Sequence, residues 1–293
     1  MSAKLGLVTV LFNSEMVLPG FFESLAAQDF KDFWLFILDN SLNDNSYNAS
    51  LELIQKHGIE NVTLIKNSEN VGVAKGNNQG TQLALEMGCE YVVLLNNDIE
   101  FDSPRLFSDL YVMAQTSNEK MVIPKMTFFD SGKIWCAGGA INPLTGTTTH
   151  RGEGMEDGKE FSVGMPVNYA PTCFMLIHRS VFEKIGLMDE KYFVYHDDTD
   201  FVWRANQAGF RIYYWPEGMI KHKVSSSTGG ALSTFATYYC ERNRIYFIRK
   251  NYKNLQKAAA IAYYLLTRPL KYRFFSKRLR KHFFTGVRDG FRM

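Results

Sequence analysis

Residues 5–26, Leu-Gly-Leu-Val-Thr-Val-Leu-Phe-Asn-Ser-Glu-Met-Val-Leu-Pro-Gly-Phe-Phe-Glu-Ser-Leu-Ala, decide the fold class. Leu5–Phe12 is short, free of charge and partly β-branched, which predicts a strand buried on both faces. Leu18, Phe21, Phe22, Leu25 and Ala26 then recur at three- and four-residue steps, which predicts an amphipathic helix. The same alternation continues. Phe33–Leu38 reads as a strand, Leu51–Lys56 as a helix stopped by Gly58, and Val62–Ile65 as a strand. Ala74–Met87 reads as a helix closed by Gly88, and Tyr91–Leu95 as a strand. Strands and helices in alternation predict an α/β fold, a mostly parallel sheet flanked by helices.

Beyond Lys125 the texture changes. Residues 128–164 are rich in Gly, Thr and Asn, the texture of a hairpin insertion or a loop over a site. Tyr169–His178 reads as a strand, Val181–Ile185 and Thr199–Ala208 as helices, and Ile212–Trp215 and Met219–Lys223 as strands. From Ala231 the chain reads as helical: Phe235–Lys250, then Leu255–Thr267, where Pro269 interrupts. The predicted division is an α/β body over 1–230, with halves of about 1–125 and 126–230 on either side of the change in texture, and a basic amphipathic helical extension over 231–293.

Composition sets bounds. The chain has 293 residues, 46% hydrophobic, enough for one sizeable core with a small appendage. Its four cysteines form no C-x-x-C pair, so free thiols in a reducing compartment are expected. The start lacks the pattern of a signal peptide, and Ala258–Leu266 is too short to span a bilayer. The expectation is therefore a cytoplasmic protein, peripheral on the inner face of the cell membrane. The net charge of +3 is unevenly spread. Residues 268–293 hold nine basic side chains against Asp289 alone, leaving +8 there and −5 elsewhere. Leu270, Tyr272, Phe274, Phe275, Leu279, Phe283 and Phe284 interleave with these charges. An anionic membrane surface is the expected partner of this tail. The alternative is a helix packed on the α/β body, or its variant, a homo-oligomer contact. Nothing resembles a nucleic-acid module.

In an open parallel sheet, ligands bind beyond the carboxyl ends of the strands. Here those ends read Asn13, Asp39-Asn40, Asn67 to Asn70, and Asn96-Asn97-Asp98. Asn and Asp are common turn residues, so any one of them alone is a turn or cap; together they mark a ligand edge. No G-x-G-x-x-G follows the first strand, and there is no P-loop, which disfavours dinucleotide redox and P-loop phosphoryl chemistry. Asn96-x-Asp98, mounted on a buried strand, suits Mg²⁺ or Mn²⁺, which complete their shells with phosphate and water. A second polar patch is Tyr195-His196-Asp197-Asp198-Thr199-Asp200. Arg204, one helical turn on, is the expected ion-pair partner of Asp200, which leaves Asp197 and Asp198 for chemistry. His222 ends an apolar strand; by spacing alone it reads equally as a structural residue or a ligand.

In their order and spacing, these pieces resemble the inverting glycosyltransferases of family 2, with the GT-A fold. The matching segments are Phe12-Asn13-Ser14-Glu15, Asp39-Asn40-Ser41 with Asp44, Asn70–Gly80, Leu94–Asp98, Gly186–Glu190, Asp197–Asp200 with Arg204 and Gly209, and His222. The similarity covers about residues 5 to 225 and is greatest to rhamnosyltransferase- and galactofuranosyltransferase-like members. The resemblance implies a nucleotide diphosphate sugar donor and a glycan or lipid-linked glycan acceptor. It puts Asp39 on the donor's base, with Phe12, Asn13 and Glu15 nearby, and Asn70, Lys75, Asn96 and Asn97 around the nucleotide. It makes Asp98 and His222 ligands of Mn²⁺ or Mg²⁺, and Asp198, or failing that Asp197, the general base. Two departures stand out: Asn96 occupies a position where many relatives carry Asp, and Asp197-Asp198 replaces the usual Glu-Asp.

Two rivals explain less. A sugar-phosphate nucleotidyltransferase needs a glycine-rich basic loop where Asn13-Ser14-Glu15 stands. A carbohydrate-binding protein on a membrane surface leaves Asp98, Asp197 and Asp198 without a purpose.

Overall fold

The first three strand–helix units and the strand after them form in the predicted order: β1 (Leu5–Leu11), α1 (Leu18–Ala26), β2 (Phe33–Asp39), α2 (Asn45–His57), β3 (Val62–Lys66), α3 (Gly72–Glu86) and β4 (Tyr91–Leu95). They are seen in a computed structural model that describes residues 3–224, 233–272 and 276–293, with backbone alone for 269–272. Helix α1 buries Leu18, Phe21, Phe22 and Leu25, the stripe that predicted it. Helix α2 begins well before Leu51, because its first turns bury Ser46 and Ser50 rather than apolar side chains. A hydrophobic period cannot register such a helix.

The chain continues through β5 (Ile99–Glu100), α4 (Leu106–Ser117), β6 (Met121–Phe128), β7 (Ile134–Cys136), β8 (Gly139–Ile141), β9 (Thr148–His150), β10 (Met165–Val167) and β11 (Phe174–His178). Then come α5 (Arg179–Ile185), α6 (Asp197–Gln207), β12 (Ile212–His222), α7 (Thr234–Asn251), α8 (Asn254–Tyr272) and α9 (Lys277–Arg292). The main sheet runs β10-β12-β6-β11-β4-β1-β2-β3. Strands β3, β2, β1 and β4 are parallel, so their carboxyl ends share one edge. Strand β11 is antiparallel to both β4 and β6, while β6 and β12 are again parallel. The architecture is the mixed, mostly parallel GT-A type.

The structure departs from the sequence reading at several elements. Helix α4 and strand β6 carried no predicted boundary. Strand β11 starts at Phe174, and Tyr169 joins the sheet only through an isolated bridge to Gly139. The two predicted strands at 212–223 are one strand, irregular between Trp215 and Met219. The predicted stop at Pro269 is corrected: α8 runs through it to Tyr272. The expected domain boundary at 230/231 lies outside the described residues. So do the tail side chains Leu270, Lys271, Tyr272, Arg273, Phe274 and Phe275.

The core lies on both faces of the main sheet and takes in Phe247 and Ile248 of α7. Helix α9 packs backbone to backbone on α7: a Cβ at Gly286 would stand 2.5 Å from the Tyr238 carbonyl oxygen, and one at Gly290 2.4 Å from that of Arg242. The first and last helices of the basic extension are thus joined to the catalytic body and to each other.

Candidate active site

The polar strand ends surround a cavity of about 570 Å³, within the range of small-molecule sites. Phe12, Asn70, Asn96, Asn97 and Asp98 line it, as the strand-end reading predicts. Asn97 Nδ2 donates to the Val10 carbonyl at 2.7 Å, tying the turn after β4 to β1. Asn70 Oδ1 accepts from Gly72 N–H at 3.0 Å and so caps the entry to α3. Gly72 has φ +84°, and a Cβ there would meet Phe193 at 2.5 Å. Only glycine permits both that backbone and that approach. Asp98 is the single charged residue of the wall, and among the described lining there is no Lys or Arg.

Asp98 is 7% exposed and His222 6%. They are 124 positions apart in sequence, yet Asp98 Oδ1 and His222 Nε2 lie 3.1 Å apart. Two short ladders enforce this. His222 pairs with Ile99 where β5 meets β12 antiparallel, and Lys223 N–H donates to the Asp98 carbonyl at 2.8 Å. Trp135 from β7 closes the far side of the imidazole, ring centroids 4.4 Å apart. One carboxylate oxygen and one imidazole nitrogen, converging at a cavity wall, fit a divalent ion that takes its remaining ligands from phosphate and water. Among the described residues no third ionisable ligand joins them.

The acidic motif is held in a strained approach. Phe193, Tyr195 and His196 have φ of 67°, 63° and 63°. Val194 N–H donates to the Tyr192 carbonyl at 2.8 Å, closing a γ-turn of the rare hand. Non-glycine residues in this region cost of order 1–3 kcal/mol each and persist only where the surroundings impose them. Here the agent is Asn243 of α7, fully buried, whose amide donates to the carbonyls of Tyr192, Val194 and Tyr195 at 2.9, 2.7 and 2.8 Å. Arg242 adds two bonds, to the carbonyls of Lys191 and Tyr192.

The three aspartates that follow then separate in role. Asp200 is fully buried and accepts from Arg204, as its spacing predicts, and also from Tyr192, Lys250 and Asn251. Asp198 Oδ2 accepts from the Tyr169 hydroxyl at 2.6 Å, and its Oδ1 from Thr199 N–H at 2.6 Å and Thr199 Oγ1 at 3.1 Å. Asp197 is 5% exposed; burial, then the adjacent Asp198 charge, push its carboxyl up to about 8. Burial, with Asp198 beside it, likewise raises the Tyr169 phenol well above its ordinary value, so it stays a donor.

Several expected site residues stand off the wall. Asn13 and Glu15 lie at the rim turn. Asn13 has φ 50°, and Glu15 accepts from Ser46 Oγ at 3.1 Å. The carboxyl of Glu15 is lowered mainly by its own backbone N–H. Asp39 is fully buried beneath the wall, accepting from Ser41 N–H at 2.9 Å with Lys66 Nζ at 3.4 Å. Lys75 is half-buried on α3, outside the lining. Asp197, buried, and Asp198, partly exposed, are likewise outside the lining; Phe193 and Val194, which lead into them, form part of it.

The sequence pattern of Glycosyl transferase family 2 matches residues 7–186. The chain belongs to that family. The match ends before the acidic motif and His222, so the geometry above is what ties those residues to the family-matched edge. The chain is 31% identical over 173 residues to the low-salt glycan biosynthesis hexosyltransferase Agl10 of Haloferax volcanii, covering 58% of this chain and 53% of that one. It therefore spans about half the length of that relative. It is 23% identical over 253 residues to an N-acetylglucosaminyl-diphospho-decaprenol L-rhamnosyltransferase of Mycobacterium tuberculosis, covering 78% and 79%. Among solved structures it is similar to a mannosyltransferase from Pyrobaculum calidifontis in complex with GDP-Man and Mn²⁺, with TM-score 0.58 and 12% identity over 99% of this chain and 88% of that one.

Sequence reasoning missed Tyr169, Trp135, Thr172, Phe235 and Asn243. Tyr169 and Trp135 lie in or beside the irregular 128–164 stretch, where no period assigns a face. Asn243 sits mid-helix among polar neighbours. An Asn inside a helix is a weak signal, because it is disfavoured there and needs a partner elsewhere.

Proposed function

We propose that this family member transfers a sugar, rhamnose or another hexose, from a nucleotide diphosphate donor to an acceptor hydroxyl with inversion. The acceptor class is a glycan or lipid-linked glycan in the assembly of cell-surface polysaccharide or glycolipid. The observation that carries this reading is the charge of the cavity wall. A nucleotide diphosphate entering it meets the Asp98 carboxylate and no basic side chain among the described lining. Like charges repel in a partly desolvated site, which supports a divalent cation at this wall. Asp98 and His222 would hold Mn²⁺ or Mg²⁺, which would supply the positive charge that the departing diphosphate needs.

The chain's own residues do the rest. Phe12, with Asn13 and Glu15 at its turn, would seat the base. Asn70, Asn96 and Asn97 would fix the ribose and phosphates, Lys75 lies beside them on α3, and Asp39 would support the base pocket from below. Asp198 would take the acceptor's proton as the acceptor oxygen bonds to the anomeric carbon and the bond to the diphosphate breaks, its electron pair leaving with the nucleotide. Burial and the adjacent Asp198 charge favour the protonated form of Asp197, which supports Asp198 as the base. The Tyr169 and Thr199 bonds fix the rotamer of Asp198. Among the described residues no helix is long and apolar enough to cross a membrane. We place the protein at the cytoplasmic face of one, on the argument of the following section.

A panel of nucleotide sugars, scored for nucleotide diphosphate release with acceptor glycans and with or without Mn²⁺, tests the reading. Metal-dependent release from one donor is expected. Release from none, or release unaffected by chelation, overturns it.

A further inference from the structure

The basic tail divides into an inner and an outer surface. On the inner side α8 buries Ala260 and Tyr264, and the Tyr264 hydroxyl donates to Glu241 of α7 at 2.6 Å. On α9, Phe283, Gly286 and Gly290 are buried against α7. The packed-helix alternative is therefore correct for one face of each helix. It leaves the opposite faces exposed, and these differ from ordinary solvated helix surfaces. On α8 the exposed residues between Leu255 and Leu266 carry no charge. Leu255 is 86% exposed, Leu266 76%, Leu265 50% and Tyr263 40%. On α9 the exposed residues are Lys277, Arg278, Lys281, Arg288 and Arg292, with Phe284 and Phe291 among them. The acid of that helix, Asp289, is already held by Arg288 and Tyr238.

We propose that the outer faces of α8 and α9 form a docking surface for an anionic lipid bilayer. Large aliphatic side chains exposed in a row lose about 1.5–3 kcal/mol each by staying in water, so a surface that presents several is matched to something apolar. Helix α9, which packs on α7 as α8 does, adds an exposed face of basic side chains and aromatics whose one acid, Asp289, is already paired. That combination seats aliphatics and Phe at the acyl boundary and Lys and Arg among phosphate headgroups. A second copy of the chain is a poor occupant, because it would set one cationic face against another. An acidic protein would neutralise α9 but give Leu255 and Leu266 nothing suited to them. The surface stands independently of the proposed chemistry; only its use, to bring a lipid-linked acceptor to the cavity, rests on the transfer reading.

The test is co-sedimentation of the full chain with vesicles of phosphatidylcholine alone and of phosphatidylcholine with phosphatidylglycerol, at low and high salt. Donor turnover with a water-soluble acceptor is measured in parallel. Binding is expected on the anionic vesicles and should weaken with salt. Lys277→Gln with Lys281→Gln should lower partition about 30-fold, the equivalent of about 1 kcal/mol per basic residue. Leu255→Ser with Leu266→Ser should lower it at least about 10-fold. Neither pair should alter turnover. The proposal is overturned if the wild type does not bind, if both pairs bind as wild type does, or if neutral and anionic vesicles bind alike without salt effect. Self-association by light scattering that these pairs abolish, or capture by polyglutamate but not by vesicles, would assign the surface to a second copy or to an acidic protein instead. A wild type that turns over donor but does not bind vesicles sinks the docking surface alone; a wild type that binds vesicles but turns over no donor sinks the transfer reading alone.

Discussion

Asp98 and His222 meet, Oδ1 to Nε2 at 3.1 Å, because a two-residue strand after the Asn96-Asn97-Asp98 turn pairs with the last residues of β12. The pairing makes the cavity wall and the chain's second half interdependent. Neither residue alone distinguishes a ligand from a structural side chain; their convergence beside the cavity is what motivates the proposed metal site.

Asp98→Asn should lower turnover by at least about 10²–10³-fold, the scale on which one electrostatic stabiliser of a transition state acts. His222→Ala should raise the Mn²⁺ needed for half-maximal activity about 10–100-fold, the range that even outer partners of metal ligands command. Both are read from titrations of chelator-stripped protein, with circular dichroism confirming the fold. Wild-type rates for Asp98→Asn in stripped, replenished buffer would remove the metal from this site.

Asp198→Asn should cut kcat at least about 10²-fold with donor affinity kept, as expected for loss of a general base. Tyr169→Phe should cut kcat about 10-fold at unchanged donor KM, since a hydrogen bond to a charged group is worth about 1.5–3 kcal/mol and only the rotamer of the base is disturbed. Asp197→Asn should remain active, because Asn mimics the neutral carboxyl. If Asp197→Asn is inactive and Asp198→Asn is not, the two assignments exchange.

The sheet's parallel half was legible because Leu5–Phe12, Phe33–Leu38, Val62–Ile65 and Tyr91–Leu95 are charge-free runs with Asn or Asp at or just beyond their ends, and because α1 shows its apolar stripe, whereas α2 and α3 bury mainly small and polar side chains. The pairing of Asp98 with His222 was half legible: Asp98 stood out by following a buried strand, whereas the approach of His222 depends on the β5–β12 ladder, which two residues of strand cannot signal. The oxygen-by-oxygen environment of Asp198 was not legible at all. Tyr169 reaches it from a segment read as continuous strand, and the tertiary bridge to Gly139, not propensity, sets that position.

Asp197 gives the protein a characteristic pH response. Its carboxyl is raised from 3.8 to about 8 in the folded state, so the folded protein binds the proton more tightly than the unfolded chain. The stability associated with that proton is full below about pH 4 and is lost as pH rises towards about 8. Asp197→Asn removes the dependence. Thermal melts of metal-free protein should therefore show the variant gaining on wild type through this interval, with the gap level above it. Parallel melting curves across pH would mean that Asp197 is ionised in the fold.

The last prediction concerns Asn243, which lies in the predicted extension yet donates to three carbonyls of the loop leading into the acidic motif. Phe193, Tyr195 and His196 hold left-handed backbone there, and a loop left to itself would relax to ordinary φ values, carrying Asp197 and Asp198 with it. Asn243→Ala removes a donor shared by three carbonyls, although Tyr192 keeps its bonds from Arg242 and Val194 N–H; a buried group left unsatisfied costs about 1–3 kcal/mol. The variant should melt lower and lose kcat by at least about 10-fold, a misplacement effect of the kind small shifts of catalytic groups produce. Tyr238→Phe is the control. It removes the bond to Asp289 that helps hold α9 on α7, without touching the loop, so its kcat should match wild type even if its melting point falls. Equal kcat in Asn243→Ala and wild type would show that α7 supports the fold but not the site.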